Sequence, residues 1–409
     1  MPFQSFGLHP DLVRAIQALG FKQPTPIQEK SLPVALTGRD VLGCAQTGSG
    51  KTAAFALPIL QHLLTKPGEG LRALVLVPTR ELAVQVDRSF RDCARFTNLK
   101  TAVVIGGVGH HGQVQDVRRG AQILVATPGR LLDHLDQRNF SLHKVEQLVL
   151  DEADRMLDMG FLPDIKDVLR QVPSERQTQL FSATLHGEVE RIAAFATRNP
   201  LRIEIARPTT VAEGISQIVY PVIQSQKAGL LLALLKSMEM RSVLVFTRTK
   251  HGADRVAQRL AEEGHRSGRL HSNRSQNQRQ AAMEDFRHGR TKILVATDIA
   301  ARGIDVKNIS HVVNFDVPRA PEDYVHRVGR TARAYGVGDA MMFVDPLEES
   351  AVKSIERFVG VVFPRAVLPG FQYNSPPRHP APTQRRPPFS GARGRPGGGR
   401  HRPVRERNR

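Results

Sequence analysis

Asp151, Glu152 and Asp154 crowd together immediately after the apolar run Leu148-Val149-Leu150. A run so short reads as a strand buried on both faces, not as a helix. Carboxylates packed at the end of such a strand repel one another and lose hydration, so positive charge must balance them. Far upstream, Ala45-Gln46-Thr47-Gly48-Ser49-Gly50-Lys51-Thr52 offers it, between a short strand over 40–45 and a helix over 53–64. Strand, glycine-rich loop and helix in that order make a phosphate cradle. Backbone N–H groups around Gly48, Ser49 and Gly50 then point at phosphate oxygens. Lys51 reaches the β- and γ-phosphates, and Thr52 ligates Mg2+. The two stretches together predict one nucleotide site; the competing reading of the loop is a flexible glycine turn.

A second set of residues suits a flat base and a phosphodiester chain. Phe21 and Gln28 flank Pro24 and Pro26. A ring face and a carboxamide held by that turn fit adenine, which a Gln side chain can bond at N6 and N7. Gln28 as a plain helix cap is an equal alternative. Further β-like runs end in Pro78-Thr79-Arg80, in Gly106-Gly107, and in Thr127 followed by Arg130. Hydroxyls, backbone N–H groups and arginines at strand ends suit sugar and phosphate rather than base edges. Loops that merely cap strands compete with this reading, more so for the glycines than for the arginines. Another run ends in the hydroxyls of Ser182 and Thr184. Arg330 and Arg333 are three apart, hence on one face if helical, with no acid between His326 and Arg333. Such a pair suits a γ-phosphate presented by another domain; a solvated basic helix is the alternative.

The elements that must hold these residues repeat. Val243-Leu244-Val245-Phe246-Thr247-Arg248 parallels Val75-Leu76-Val77-Pro78-Thr79-Arg80. Ile293-Leu294-Val295-Ala296-Thr297 repeats Ile123-Leu124-Val125-Ala126-Thr127 letter for letter. Two matches in the same order at nearly equal separation predict a duplicated α/β domain. The second copy has no glycine-rich Lys-Thr loop, so one ATP site is expected rather than two. The expected division is a first domain over 1–205, a linker over 206–214, a second domain over 215–368 and a tail over 369–409. The tail is rich in Pro, Gly and Arg and too poor in apolar side chains to form a core, so it is expected to be disordered.

Composition narrows the class. A chain of 409 residues exceeds one ordinary core and is long enough for two domains. The net charge of +19 calls for a polyanionic partner, with nucleic acid first. Residues 376–409 hold ten arginines and one acid, Glu406, and so supply nearly half of that excess. The two cysteines, Cys44 and Cys93, have no partner at metal-ligand spacing, which points to a reducing compartment and away from zinc or disulfides. No signal-like N-terminus and no long apolar run is present, so a cytoplasmic protein with no membrane association is expected.

These motifs, in this order, resemble the DEAD-box RNA helicases, and within them the bacterial RhlE type. The likeness runs from about Phe3 to Leu368. It covers Gly20–Gln28 with Phe6 upstream, Ala45–Thr52, 78–83, 106–107, 127–130, Asp151–Asp154 and Ser182–Thr184. In the second half it covers 243–249, Gln276 with Arg279, Ala296–Asp305 and His326–Arg333; His271-Ser272-Asn273-Arg274-Ser275-Gln276 carries the RhlE likeness. Ala332 stands where the family usually has Gly. The resemblance implies an α/β fold of two tandem RecA-like parallel-sheet domains joined by a short linker. It implies ATP and Mg2+ as cofactors, with Phe21, Gln28, Gln46, Thr47, Gly48, Ser49, Gly50, Lys51, Thr52 and Asp305 at the nucleotide. Thr52 and Asp151 belong to the metal; Glu152 orients and helps deprotonate the attacking water, and Lys51, Arg330, Arg333 and His326 complete the catalytic set. Pro78, Thr79, Arg80, Gly106, Gly107, Thr127, Arg130, Arg248, Thr297 and Gly303 line the RNA path, and Asp154, Ser182 and Thr184 couple the domains. The implied activity is RNA-dependent ATP hydrolysis driving local, non-processive duplex unwinding. The partner is single-stranded or short duplex RNA without sequence preference, in ribosomal precursor particles or RNA decay. An ATP-gated RNA clamp or annealing factor is the alternative; a metabolite kinase leaves the second domain unexplained.

Overall fold

The computed structural model describes residues 2–45, 48–185, 187–205, 215–301, 309–331 and 338–374. Seven short strands form the first sheet: β1 (Val41–Cys44), β2 (Ala73–Leu76), β3 (Thr101–Val104), β4 (Ile123–Ala126), β5 (Gln147–Asp151), β6 (Gln177–Ser182) and β7 (Leu201–Glu204). Six form the second: β8 (Ile215–Pro221), β9 (Val243–Thr247), β10 (Ser267–Leu270), β11 (Ile293–Thr297), β12 (His311–Asn314) and β13 (Gly338–Val344). Every strand pairing among the described residues is parallel. The orders are β3-β4-β2-β5-β6-β1-β7 and β10-β11-β9-β12-β13-β8. Apart from β7, the second sheet repeats the first strand for strand. The Ile-Leu-Val-Ala-Thr repeats fall at equivalent places: Val125 pairs with Val75, and Val295 with Val245.

Parallel sheets must be covered on both faces, so their strands are continuously apolar. In β5, Leu148 and Leu150 pack into one core layer and Val149 into the other. In β9, Val243 and Val245 face one layer while Leu244 and Phe246 face its opposite. Burying each such side chain contributes about 1.5–3 kcal/mol. Because all strands run one way, their carboxyl ends lie along one edge of each sheet, and the predicted site residues follow those ends.

Helix caps fix where that edge begins. Thr79 Oγ1 accepts from the Leu82 N–H and starts the helix Arg80–Cys93. In the second sheet Thr249 Oγ1 accepts from the Gly252 N–H and starts Lys250–Glu262. Pro26 opens the helix Pro26–Leu36, with Thr25 and Gln28 forming a capping box.

Two expectations are corrected. The tail begins later than residue 369, because Leu368, Phe371 and Tyr373 pack against the second sheet's core. Gln226 grips this segment through the Gln372 carbonyl and the Asn374 N–H. Two partly buried aromatic rings suffice to hold a stretch whose composition reads as tail. The helix Pro321–Val328 stops before Arg330, Gly329 caps it, and Thr331 bridges to Ile309. The helix on which the same-face expectation for Arg330 and Arg333 depends does not reach Arg330, and Arg333 lies outside the described residues. So do Gln46, Thr47, Gly303, Asp305, the expected linker 206–214 and the tail from 375 onward.

Candidate active site

The glycine-rich loop leaves β1 and enters the helix Lys51–Thr65. Its entry is tied to β6 by the Ala45 N–H, which donates to the Ser182 carbonyl at 3.0 Å. Gly48 and Gly50 have φ of 84° and 90°, in the left-handed region that favours glycine. A Cβ on Gly50 would run into the Gln28 carboxamide and the Thr25 hydroxyl. Lys51 is buried, and its Nζ donates to the Ala45 carbonyl at 2.9 Å, which curls the ammonium back over the loop.

Gln28 makes the helix cap that the sequence allowed and ties that cap to the glycine-rich loop. Its Oε1 accepts from the Thr25 N–H, closing the helix cap, and its Nε2 donates to the Gly50 carbonyl, each at 2.9 Å. Beyond these two bonds the amide keeps a second lone pair and a second hydrogen. Phe21 is 41% exposed and lies 6.3 Å, centroid to centroid, from the buried Phe3.

β5 delivers the acids. Asp151 is buried, and burial, reinforced by Glu152 and Asp154 against the pull of Lys51, raises its carboxyl to about 6. Glu152 turns the chain at φ 52° and ψ 51°. Burial pushes its carboxyl upward, but Arg155, then Lys51, and more weakly Arg330 bring it down to about 2. Arg155 is buried beside it, with Nη1 2.9 Å from Glu152 Oε2. Asp154 points elsewhere: its Oδ2 accepts from the Ala183 N–H at 3.0 Å, and its own N–H donates to Ser182 Oγ. Ser182 Oγ also accepts from the Thr184 N–H. The aspartate expected to couple rather than ligate is thus bonded to the Ser182–Thr184 segment.

Hard oxygen donors at Asp151 and Thr52 fit a divalent cation. Asp151 accepts a hydrogen bond from the Glu152 N–H, and since burial is what chiefly raises its pKa, a cation beside it would offset the cost of its charge. Among the described residues no group of three or more His, Cys, Asp or Glu side chains could hold a metal. The donor set therefore suits an ion that shares its coordination with phosphate and water.

The second sheet closes on the first. Arg330 is buried and its charge is felt at Glu152. Glu81, also buried, accepts from Gln276 Nε2 at 3.2 Å and from Arg279 Nη2 at 2.7 Å. Arg80 lies against Gly106 and Gly107, where any Cβ would collide with its guanidinium. Its pKa falls through burial first, then through the charges of Arg279 and Arg130. Arg130 donates to the Val108 carbonyl at 3.2 Å. Pro78, Thr79 and Thr127 are buried at the ends of β2 and β4, and Thr297 ends β11 half-buried. His326 lies in the helix Pro321–Val328, and its carbonyl accepts from Arg330 Nε. Arg248 is held by Glu348, which also pairs with the fully buried Lys227 at 2.6 Å.

Sequence reasoning did not assign Arg155, Glu81, Glu348 or Arg327. Arg327 grips Asp298 through Nε and Nη2, at 2.6 and 2.7 Å. Each is a charge whose partner is distant or hidden by burial. The signal available was a charged residue inside or beside a motif: Glu81 within 78–83, Arg155 after Asp154, Arg327 within 326–333. Among the described residues no helix is long and apolar enough to cross a membrane.

The comparisons agree with this geometry. The DEAD/DEAH box helicase family matches residues 25–192, and the helicase conserved C-terminal domain matches 226–335. The chain is 41% identical over 355 residues to the DEAD-box ATP-dependent RNA helicase CshA of Bacillus subtilis, covering 87% of this chain and 72% of that one. It is 41% identical over 370 residues to the ATP-dependent RNA helicase DeaD of Buchnera aphidicola, covering 90% and 61%. The structure of S. cerevisiae Dbp5 bound to RNA and ADP BeF3 matches with a TM-score of 0.80 at 32% identity, over 89% of this chain and 95% of that one. The chain belongs to the DEAD-box family of ATP-dependent RNA helicases.

Proposed function

We propose that ATP binding closes the two sheets on single-stranded RNA, and that closure separates short duplexes locally, non-processively and without sequence preference. The observation that carries this reading is that Arg279 of the second sheet meets Glu81 of the first at 2.7 Å, while the charge of Arg330 is felt at Glu152. One site is then built from two domains.

Phe21 stacks on adenine and Gln28 bonds its edge. Gly48, Ser49, Gly50, Lys51 and Thr52 cradle the phosphates, with Gln46, Thr47 and Asp305 completing the nucleotide site. Thr52 and Asp151 hold Mg2+, which when bound neutralises charge on the phosphate oxygens. Glu152 orients the attacking water and takes up its proton. Arg330, with Arg333, stabilises the charge developing on the γ-phosphate. Asp154, Ser182, Thr184 and His326 link that chemistry to domain movement.

Pro78, Thr79, Arg80, Gly106, Gly107, Thr127 and Arg130 carry the RNA backbone on the first sheet, and Arg248, Thr297 and Gly303 on the second. Contacts to phosphates and 2′-hydroxyls carry little sequence information. ATP and RNA both favour the closed form, so each tightens the other. Closing on one strand bends it away from A-form and frees its partner; hydrolysis reopens the cleft. The His271–Gln276 segment supports the RhlE type. A cytoplasmic role in ribosome assembly or RNA decay fits such an activity.

The test is turnover with RNA and with DNA of the same sequence. RNA should stimulate ATP hydrolysis by about tenfold or more, and DNA should not. Equal stimulation by DNA would remove the 2′-hydroxyl argument. Long-lived RNA retention with a non-hydrolysable ATP analogue, without strand separation, would favour the clamp or annealing reading.

A further inference from the structure

Gln113 lies in the helix His110–Arg118, on the far side of the loop that carries Gly106 and Gly107. It is 5% exposed, and all of its polar capacity is turned on that loop. Its Oε1 accepts from the Ile105 N–H at 2.9 Å. Its Nε2 faces three carbonyls: Ile105 at 3.2 Å, Val108 at 3.2 Å and Gly109 at 3.3 Å. One carboxamide thus gathers both ends of a five-residue loop, including the backbone just before the helix, where Gly109 supplies no side-chain cap.

The loop needs such a brace. Gly107 has φ 76°, and the Arg80 guanidinium lies so close to Gly106 and Gly107 that a Cβ at either would force it to move. Ile105 anchors the start of the loop in the core, but the glycines that follow add no side-chain anchor of their own. On the other flank Arg130 shares the Val108 carbonyl with Gln113. The shape of this loop therefore sets the gap between two guanidinium groups and the direction of the N–H groups between them.

We propose that Gln113 is a positioning residue for RNA binding, holding the Ile105–Gly109 loop in the form that offers its backbone, with Arg80 and Arg130, to a ribose–phosphate chain. This rests on the RNA path proposed above. The chemistry demands an amide of this length. Asn falls one methylene short, Met fills the space without hydrogen bonds, and ionised Glu sets a negative oxygen against three carbonyls.

The test uses the full chain with Gln113→Glu and Gln113→Met. The RNA concentration that half-saturates ATPase stimulation should rise about tenfold or more. The KM for ATP at saturating RNA should stay within about twofold, as expected when binding of one ligand alone is impaired. Amide hydrogen exchange should quicken at residues 105–109 in both variants and stay unchanged in β2, β4 and β5. An unchanged RNA half-saturation overturns the proposal, as does exchange that quickens throughout the sheet with a parallel rise in KM for ATP. Unchanged exchange at 105–109 shows that Gln113 is no brace at all. A wild-type enzyme indifferent to RNA instead overturns the RNA path itself, while the exchange measurement still decides whether Gln113 holds the loop.

Discussion

Glu152 sits where an ordinary residue rests uneasily, with φ 52° in the left-handed region, a conformation that costs about 1–3 kcal/mol. The turn aims its carboxylate at the cleft while its N–H returns to Asp151 Oδ1 at 3.0 Å. Arg155 keeps it ionised despite burial, at a pKa of about 2. An ionised carboxylate there can orient the water by accepting its hydrogen bond and take up the proton late, as suits a loose phosphoryl-transfer transition state. Glu152→Gln preserves size and an acceptor for Arg155 but removes the charge. Single-turnover hydrolysis should fall by about 10²–10⁴-fold while ATP still binds; near-normal turnover would remove Glu152 from this role. The acidic triplet was legible because carboxylates at the end of an apolar run are anomalous. Arg155 was not, because an i,i+3 pair looks the same on a solvated helix as it does buried, and only packing tells them apart.

At the level of elements, the apolar strands and their duplication were legible, since a doubly covered strand has no polar face to blur the pattern. Boundaries set by single contacts were not. Phe371 and Tyr373 extend the packed chain beyond residue 368, and the helix carrying His326 ends before Arg330. The opposite edge of the first sheet holds a tie that composition could not reveal. Glu146, next to β5, receives Arg72 Nε and Nη2 at 2.9 and 2.8 Å and approaches His62 Nε2 at 2.6 Å. The bond to Arg72 chiefly, with His62 and against the opposing effect of burial, lowers its carboxyl to about 2. A depressed carboxyl pKa stabilises the fold above the ordinary carboxylate range, and that contribution fades as pH falls toward 2. Glu146→Gln should therefore cost about 1 kcal/mol at pH 7, a figure discounted for solvent screening because the side chain is 41% exposed. The cost should shrink steadily below pH 4.5. Thermal unfolding of both proteins across pH 7 to 3.5 reads the difference, and a pH-independent gap would assign the effect to packing instead.

Across the whole molecule, charge of one sign gathers where the sheets meet. Arg80 feels both Arg279 and Arg130, and Glu81 is the buried acid that joins Arg279 and Gln276 to the first sheet. Breaking one partner of a buried ion pair costs about 3–5 kcal/mol, which exceeds the 1–3 kcal/mol through which two ligands typically communicate. The contact is therefore strong enough to decide whether the closed form is populated. Glu81→Gln retains an acceptor for Gln276 and removes the charge that offsets Arg80 and Arg279, so closure should become less favourable. The factor by which RNA lowers the KM for ATP should drop by about tenfold. Where substrate binding equilibrates, reciprocity requires the factor by which a non-hydrolysable ATP analogue tightens RNA to drop equally. Measuring both factors on one variant separates a latch from a simple RNA contact. Loss of RNA affinity with the coupling factor intact would make Glu81 an organiser of the RNA path and leave the latch to other residues.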